Sequence, residues 1–338
     1  MELSQSKGAG VTNRIAKALL VFSMTFFLLD ASAQAAGASY LLIISGLGGE
    51  DSYRERFHEW ALQMQDAATE RLGVPEDHIW YLAEKPDKAP RRIHAKSTKE
   101  NVAGILKDLA ERASRGDQVF ILLIGHGSYR SEESRFNLPG PDITAEEFST
   151  LLAPFSTQQV VFVNTASASG SFVKALSGEN RVVVTATKSG VERNETVFGG
   201  YFVQAYAEDG ADVNKDDRVS VAEAFEYARL QVARFYEEEN RLQTEHAVLE
   251  DQDSRAASAF LSGDRRSIGE EVVDDPELAV LNEEVQSLED RIEILKQQKD
   301  AMASDLYMKE LETLLLELAK KKRALRDLEE KKKERTQL

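Results

Sequence analysis

The run Val119-Phe120-Ile121-Leu122-Leu123-Ile124, followed by Gly125-His126-Gly127-Ser128, and the run Val160-Val161-Phe162-Val163, followed by Asn164-Thr165-Ala166-Ser167-Ala168-Ser169-Gly170-Ser171, decide the fold. Both runs are continuously apolar, without the alternation of a strand that has one wet face, so both read as strands buried on two sides. Each gives way at its carboxyl end to small and polar residues. In a parallel sheet, those ends are where ligands bind.

The same pattern continues outward. Tyr40 to Ile44 is an apolar run that ends in Ser45-Gly46-Leu47-Gly48-Gly49, and His78 to Leu82 and Arg181 to Thr185 give two more strands. Between the strands, residues 51 to 72 carry Phe57, Trp60, Ala61 and Met64 at helical spacing, and Val102, Ile105, Leu106 and Leu109 do the same further on. A loop with Pro139-Gly140-Pro141 precedes a helix from about Thr144 to Leu152, and another helix starts near Ser171. Strands and helices in alternation predict an α/β fold, a three-layer sandwich around a mostly parallel sheet, over residues 36–265.

The chain has 338 residues, 42% of them hydrophobic, which is enough for a packed core. Its formal charge of -16 repels a phosphate backbone, so nucleic acid is a poor candidate partner and none is expected. There is no cysteine, hence no disulfide framework and no lipid attachment through a cysteine. Lys7, Arg14 and Lys17 precede an apolar stretch from Ala18 to Leu29, and Ala31-Ser32-Ala33-Gln34-Ala35 follows it. Residues 1–35 therefore read as a secretory signal peptide, and the expected destination is outside the cell or in the periplasm.

Residues 276–338 differ in composition. Leu278, Leu281, Val285, Leu288, Ile292 and Leu295 recur at spacings of three and four, and Leu311, Leu314 or Leu315, Leu318, Leu325 and Leu328 resume that rhythm after a break near Ala303 and Ser304. The expectation is an α-helical coiled-coil hairpin. The alternative is one long helix that pairs with another copy of the chain, so self-association is an expected property.

Asp212-Val213-Asn214-Lys215-Asp216-Asp217-Arg218-Val219-Ser220-Val221-Ala222-Glu223 fits a twelve-position EF-hand-like calcium loop. Asp212, Asn214 and Asp216 offer oxygens at positions 1, 3 and 5, Arg218 a backbone carbonyl at 7, Ser220 a hydroxyl at 9 and Glu223 a carboxylate at 12. Position 6 holds Asp217 where glycine is usual, and Asp tolerates the left-handed conformation needed there. A structural Ca2+ ion is the expected cofactor. No histidine pair has zinc-ligand spacing.

The His-Gly-Ser element at 126–128 and the Thr-Ala-Ser-Ala-Ser-Gly-Ser element at 165–171 resemble the two catalytic elements of the legumain and caspase (clan CD) cysteine peptidases. The resemblance covers roughly residues 38 to 235. It implies that His126 is the general acid and base, that Gly127 offers an amide to the oxyanion, and that Ser167 occupies the place of the nucleophilic cysteine while supplying a second amide. Tyr53-Arg54 resembles a family segment whose arginine lines the pocket for the residue before the scissile bond, and the loop from Lys188 to Asn194 is the matching rim. Arg54 and Lys188 are the substrate-binding residues this implies, favouring an acidic or amide-bearing side chain.

In legumains an Asn follows the first strand near the histidine, and Gly48 stands at that place here. No other side chain in the sequence offers itself to orient His126. Thiols ionise near pH 8.5 and need only an imidazole beside them, whereas a serine hydroxyl is a far weaker acid. Three readings stay open: a catalytically impaired homologue that binds peptide or protein, a working Ser-His peptidase, and an assembly protein whose coiled coil is the functional part.

Overall fold

The computed structural model describes residues 37–263 and, in the C-terminal part, residues 281, 284, 285, 288, 291, 292, 295 and 304–336. The leader expected over 1–35 lies outside the described residues. Among the described residues, no helix is long and apolar enough to cross a membrane.

Seven strands form the central sheet: β1 (Ser39–Ser45), β2 (Ile79–Ala83), β3 (Ala95–Lys96), β4 (Gln118–Ile124), β8 (Gln159–Asn164), β9 (Arg181–Thr185) and β10 (Val248–Asp251). Their spatial order is β10-β9-β8-β4-β1-β2-β3. Every neighbouring pair is parallel except β10 with β9, which is antiparallel. The two runs that open the sequence reading are β4 and β8, side by side near the middle.

The strands are apolar throughout because each serves two cores. Leu41 and Ile43 of β1, Phe120, Leu122 and Ile124 of β4, and Val161 and Val163 of β8 pack with Phe57, Phe198, Phe202 and Phe225 on one face. The alternate residues Leu42 and Ile44, Ile121 and Leu123, and Phe162 pack with Leu106, Phe148 and Phe172 on the other. Successive side chains of a strand point to opposite faces, so an unbroken apolar run covers both. Helices α1 (Asp51–Asp66), α5 (Phe198–Ala207) and α6 (Val221–Glu238) supply the first layer, and α2 (Lys99–Arg112), α3 (Ala145–Leu152) and α4 (Ser171–Leu176) the second. The expected three-layer α/β sandwich is the observed fold.

Local signals fix the helix starts. Thr144 caps α3 and Ser220 caps α6, each in a reciprocal pairing with a glutamate three residues on, Glu147 and Glu223. The segment read as a loop around Pro139 is more ordered than expected. A second, antiparallel sheet of β5 (Gly127–Arg130), β6 (Glu133–Phe136) and β7 (Ile143–Thr144) springs directly from the His-Gly element. Its strands are too short and too polar to announce themselves by periodicity.

The long helix α7 (Ser304–Thr336) lies in the C-terminal part. Leu288, Ile292 and Leu295 share a small apolar cluster with its Tyr307 and Leu314, and Glu284 is hydrogen-bonded to Lys321 at 2.5 Å.

Candidate active site

The sheet register brings His126 and Ser167 to the same level. Leu123 of β4 is paired with Asn164 of β8, and three residues beyond that pair, on each chain, stand His126 and Ser167. The Thr165 N–H continues the ladder to the Leu123 carbonyl at 3.0 Å. The Ser167 hydroxyl donates to the Gly127 carbonyl at 3.3 Å, and its oxygen accepts the Gly127 N–H at 3.4 Å. Both contacts are long for hydrogen bonds of their kind. Among the described residues, no hydrogen bond joins His126 to Ser167 directly. Gly127 cannot be larger, because a Cβ there would lie 2.1 Å from the Ser167 carbonyl oxygen.

His126 is half-buried between two aromatic rings. The Tyr53 ring meets it edge-on at 4.6 Å between centroids and the Phe57 ring at 5.1 Å. Burial holds the imidazole below the usual histidine range and the positive charge of Arg56 pushes the same way, against the opposing pull of Glu195 and of the Gly48 carbonyl. The ring is therefore neutral at pH 7, the form a general base needs. The Gly48 carbonyl favours the protonated ring, so it is the group placed to hold one ring N–H and leave the other nitrogen as the acceptor.

Gly48 is thus placed to orient the histidine through its backbone. No residue type marks such a carbonyl, which is why a search for an orienting side chain finds none. The turn that presents it is held on both sides: the Gly48 N–H donates to Glu84 Oε2 at 3.0 Å, and Arg54 donates from Nε to the same oxygen at 3.1 Å and from Nη2 to the Gly49 carbonyl at 3.0 Å. Arg54 also pairs with Asp51. The structure places Arg54 in this turn, with only 17% of its side chain exposed and its donors already engaged. That placement does not leave a free cation to read a peptide side chain.

The turn after β8 is clamped by the rim loop. Ala168 has a φ of 53°, an uncommon conformation for a non-glycine residue, and donates its N–H to the Glu192 carbonyl at 2.7 Å. The Glu192 carboxylate accepts the Lys188 N–H at 3.1 Å and the His246 N–H at 3.2 Å, and lies 2.7 Å from His246 Nδ1. Lys188 itself is exposed at the rim with its ammonium 3.7 Å from Glu192. Below the turn, Ser169 and Thr187 are hydrogen-bonded to each other, and the Thr196 hydroxyl donates to the Thr165 carbonyl at 2.6 Å. Next to Thr196, Glu245 is buried and accepts the N–H groups of Val197 and Phe198 at 2.9 and 3.1 Å, together with the Tyr236 hydroxyl at 3.3 Å. None of Glu192, Glu245 or Gly48 is marked by a motif.

The loop 212–223 lies at the other end of α5. The Asp212 carboxylate accepts the N–H groups of Lys215, Asp216 and Asp217 at 2.6, 3.2 and 2.9 Å, and Asp217 has the positive φ of 63° expected at position 6. Asn214 and Asp216 are hydrogen-bonded to each other, and the Arg218 N–H reaches Asp216 Oδ1 at 3.0 Å. Burial raises the Asp216 carboxyl above its ordinary range, and Glu223 and Asp212 add to that rise. The Glu223 carboxylate accepts from the Ser220 hydroxyl at 2.7 Å and from the Val213 N–H at 3.3 Å. Among the described residues, no three or more His, Cys, Asp or Glu residues converge on a point that could hold a metal ion.

Residues 95–253 match the sequence model of the Peptidase C13 family. This match spans both His126 and Ser167 and supports the legumain and caspase-like resemblance stated from their two motifs; Gly48 and Arg54 lie before it. No curated protein matches the chain. Among solved structures, the chain is similar to the Drosophila initiator caspase Dronc at 9% identity, over 63% of this chain and 78% of that one, with a TM-score of 0.39.

Proposed function

We propose that this legumain and caspase-like homologue is an exported, catalytically impaired peptidase that binds peptide or protein segments across the cleft between His126 and Ser167. The observation that carries this reading is the partner of Ser167: its hydroxyl is hydrogen-bonded to the backbone of Gly127 and not to the imidazole. The hydroxyl thereby sits on the amide that an oxyanion would need. Serine requires a base in contact to become a nucleophile, and a serine triad loses orders of magnitude when its orienting group is absent or misplaced. Among the described residues no carboxylate is hydrogen-bonded to His126, and the group placed to orient it is the Gly48 carbonyl.

The test is Ser167→Cys with a set of peptides that bear Asn or Asp before the scissile bond. Cleavage by the cysteine variant, with binding but no cleavage by the original chain, supports the reading. Cleavage by the original chain, lost in Ser167→Ala, supports a working Ser-His peptidase instead.

Two further properties belong to the proposal. The loop 212–223 takes a structural Ca2+ through Asp212, Asn214, Asp216, the Arg218 carbonyl, Ser220 and Glu223; the bonding of Asp212 to three successive N–H groups supports this, and Glu223 would turn from Ser220 toward the ion. Self-association through the C-terminal coiled coil is supported by an apolar face of α7 that remains exposed, with Met308, Leu315 and Leu316 at 58%, 48% and 55%.

A further inference from the structure

A cleft of about 620 Å³ opens between α1, α5 and the end of α6, beside the candidate active site and lined by neither His126 nor Ser167. Its walls are aromatic: Trp60 from α1, Tyr201 from α5, and Phe235 and Tyr236 from α6. The indole of Trp60 lies flat on α5, where a Cβ on Gly200 would come 2.8 Å from it. That glycine leaves room for the ring to form the floor.

The unpartnered groups of this cleft include two that can only donate. Among the described residues, Trp60 Nε1 has no hydrogen-bond partner, and the exposed Arg241 guanidinium has no carboxylate partner, standing 5.6 Å from the Tyr236 ring. The amide side chains of Gln63 and Asn194, also in the wall, make no hydrogen bond among the described residues. Of the two acids, Glu195 is paired with Arg56 and accepts the Tyr53 hydroxyl at 3.0 Å, while Glu208 keeps its charge and accepts from Gln204 at 2.8 Å. Glu208 is also seven residues along α5 from Tyr201, or about 10 Å at the rise of a helix.

From these observations we propose that the cleft is a second binding site, for a ligand that joins an aromatic ring to a carboxylate, with the ring on Trp60 and the carboxylate on Arg241. Two sources have this chemistry, a small aromatic acid and the carboxyl terminus of a peptide ending in an aromatic residue. The site is coupled to His126 by contact: Arg56 in its wall pairs with Glu195, Glu195 holds Tyr53, and Tyr53 packs on the imidazole. Its existence does not depend on whether Ser167 reacts.

The test uses the full chain and 3-phenylpropionate, its amide, and acetate, followed by calorimetry and by the fluorescence of Trp60 in a Trp80→Phe variant. Saturable binding of the aromatic acid, at least tenfold tighter than the amide and than acetate, with that preference lost in Arg241→Gln, supports the proposal. Equal affinity for acid and amide, equal affinity for acetate, no saturable signal in either measurement, or an unchanged preference in Arg241→Gln overturns it. A tripeptide ending in phenylalanine then separates the sources: tighter binding than 3-phenylpropionate identifies a peptide terminus, weaker binding a small acid.

Discussion

Ala168 gives its N–H to the carbonyl of Glu192 at 2.7 Å while holding a φ of 53°. The residue after the candidate nucleophile is thus kept in a conformation that costs an L-residue roughly 1–2 kcal/mol, and the rim loop is what keeps it there. Glu192→Ala removes the carboxylate that ties Lys188 and His246 to this loop. Its expected effect is faster hydrogen exchange at the Ala168 amide by at least tenfold, with the exchange of β4 amides unchanged. Equal exchange in both chains would show that the loop holds the turn without its carboxylate.

Arg54 and Glu84 act on His126 at one remove. Arg54→Ala frees the turn that carries Gly48, and since the Gly48 carbonyl raises the imidazole's affinity for protons, losing it lowers that affinity further. Titration of the His126 ring signals by NMR checks this. A midpoint that stays or rises in the variant refutes the positioning role.

Glycine 127 and glycine 104 respond in opposite directions. Gly127→Ala drives a methyl into the Ser167 carbonyl, a backbone clash with no flexible atom to yield, and is expected to cost at least 1–3 kcal/mol. Gly104, within α2, has open space where its Cβ would go, so Gly104→Ala stabilises by about 0.5–1 kcal/mol. Thermal unfolding of the two variants decides both.

Glu245 makes stability depend on pH. Burial raises its carboxyl to about 7 from an ordinary 4.5, overcoming the opposing effect of the N–H groups of Val197 and Phe198 and of the Tyr236 hydroxyl. Between those values the folded chain keeps a proton that the unfolded chain has released, so stability falls as pH rises through this window, by roughly 3 kcal/mol. Glu245→Gln cannot ionise and is expected to flatten that fall between about pH 4.5 and 7. An equal slope in both chains assigns the effect elsewhere.

Calcium, where it binds, stabilises the fold by mass action. Melting temperature is expected to rise with millimolar Ca2+ and to fall back on chelation, and Asp212→Ala abolishes the response. No response in the original chain removes calcium from the description.

Buried strands and the residues just past them were legible because burial on two faces leaves an unbroken apolar run, and β1, β4, β8 and β9 all end in the structure within a residue or two of where that run ends. The register that aligns His126 with Ser167 follows from the pairing of β4 with β8, which sequence order alone does not state. Gly48 was illegible as an orienting group because every residue has a carbonyl. The partners of Arg54 were illegible for a related reason: its neighbours in sequence resemble a pocket segment, while Glu84 comes from just past the end of β2.

Residues 256–263 run back beneath the sheet. Ala259 and Ala256 accept the N–H groups of Val221 and Ala222, the Phe260 carbonyl accepts from the side chain of Gln118 at the start of β4, and Gly263 donates to Leu72 just after α1. Arg218 of the acidic loop lies 3.6 Å above the Phe260 ring. Gly263, the last described residue of this body, therefore stands at the pole away from the His126 cleft. The acidic loop and the last residues of the body thus share one contact, at the end of the sheet opposite the two catalytic motifs.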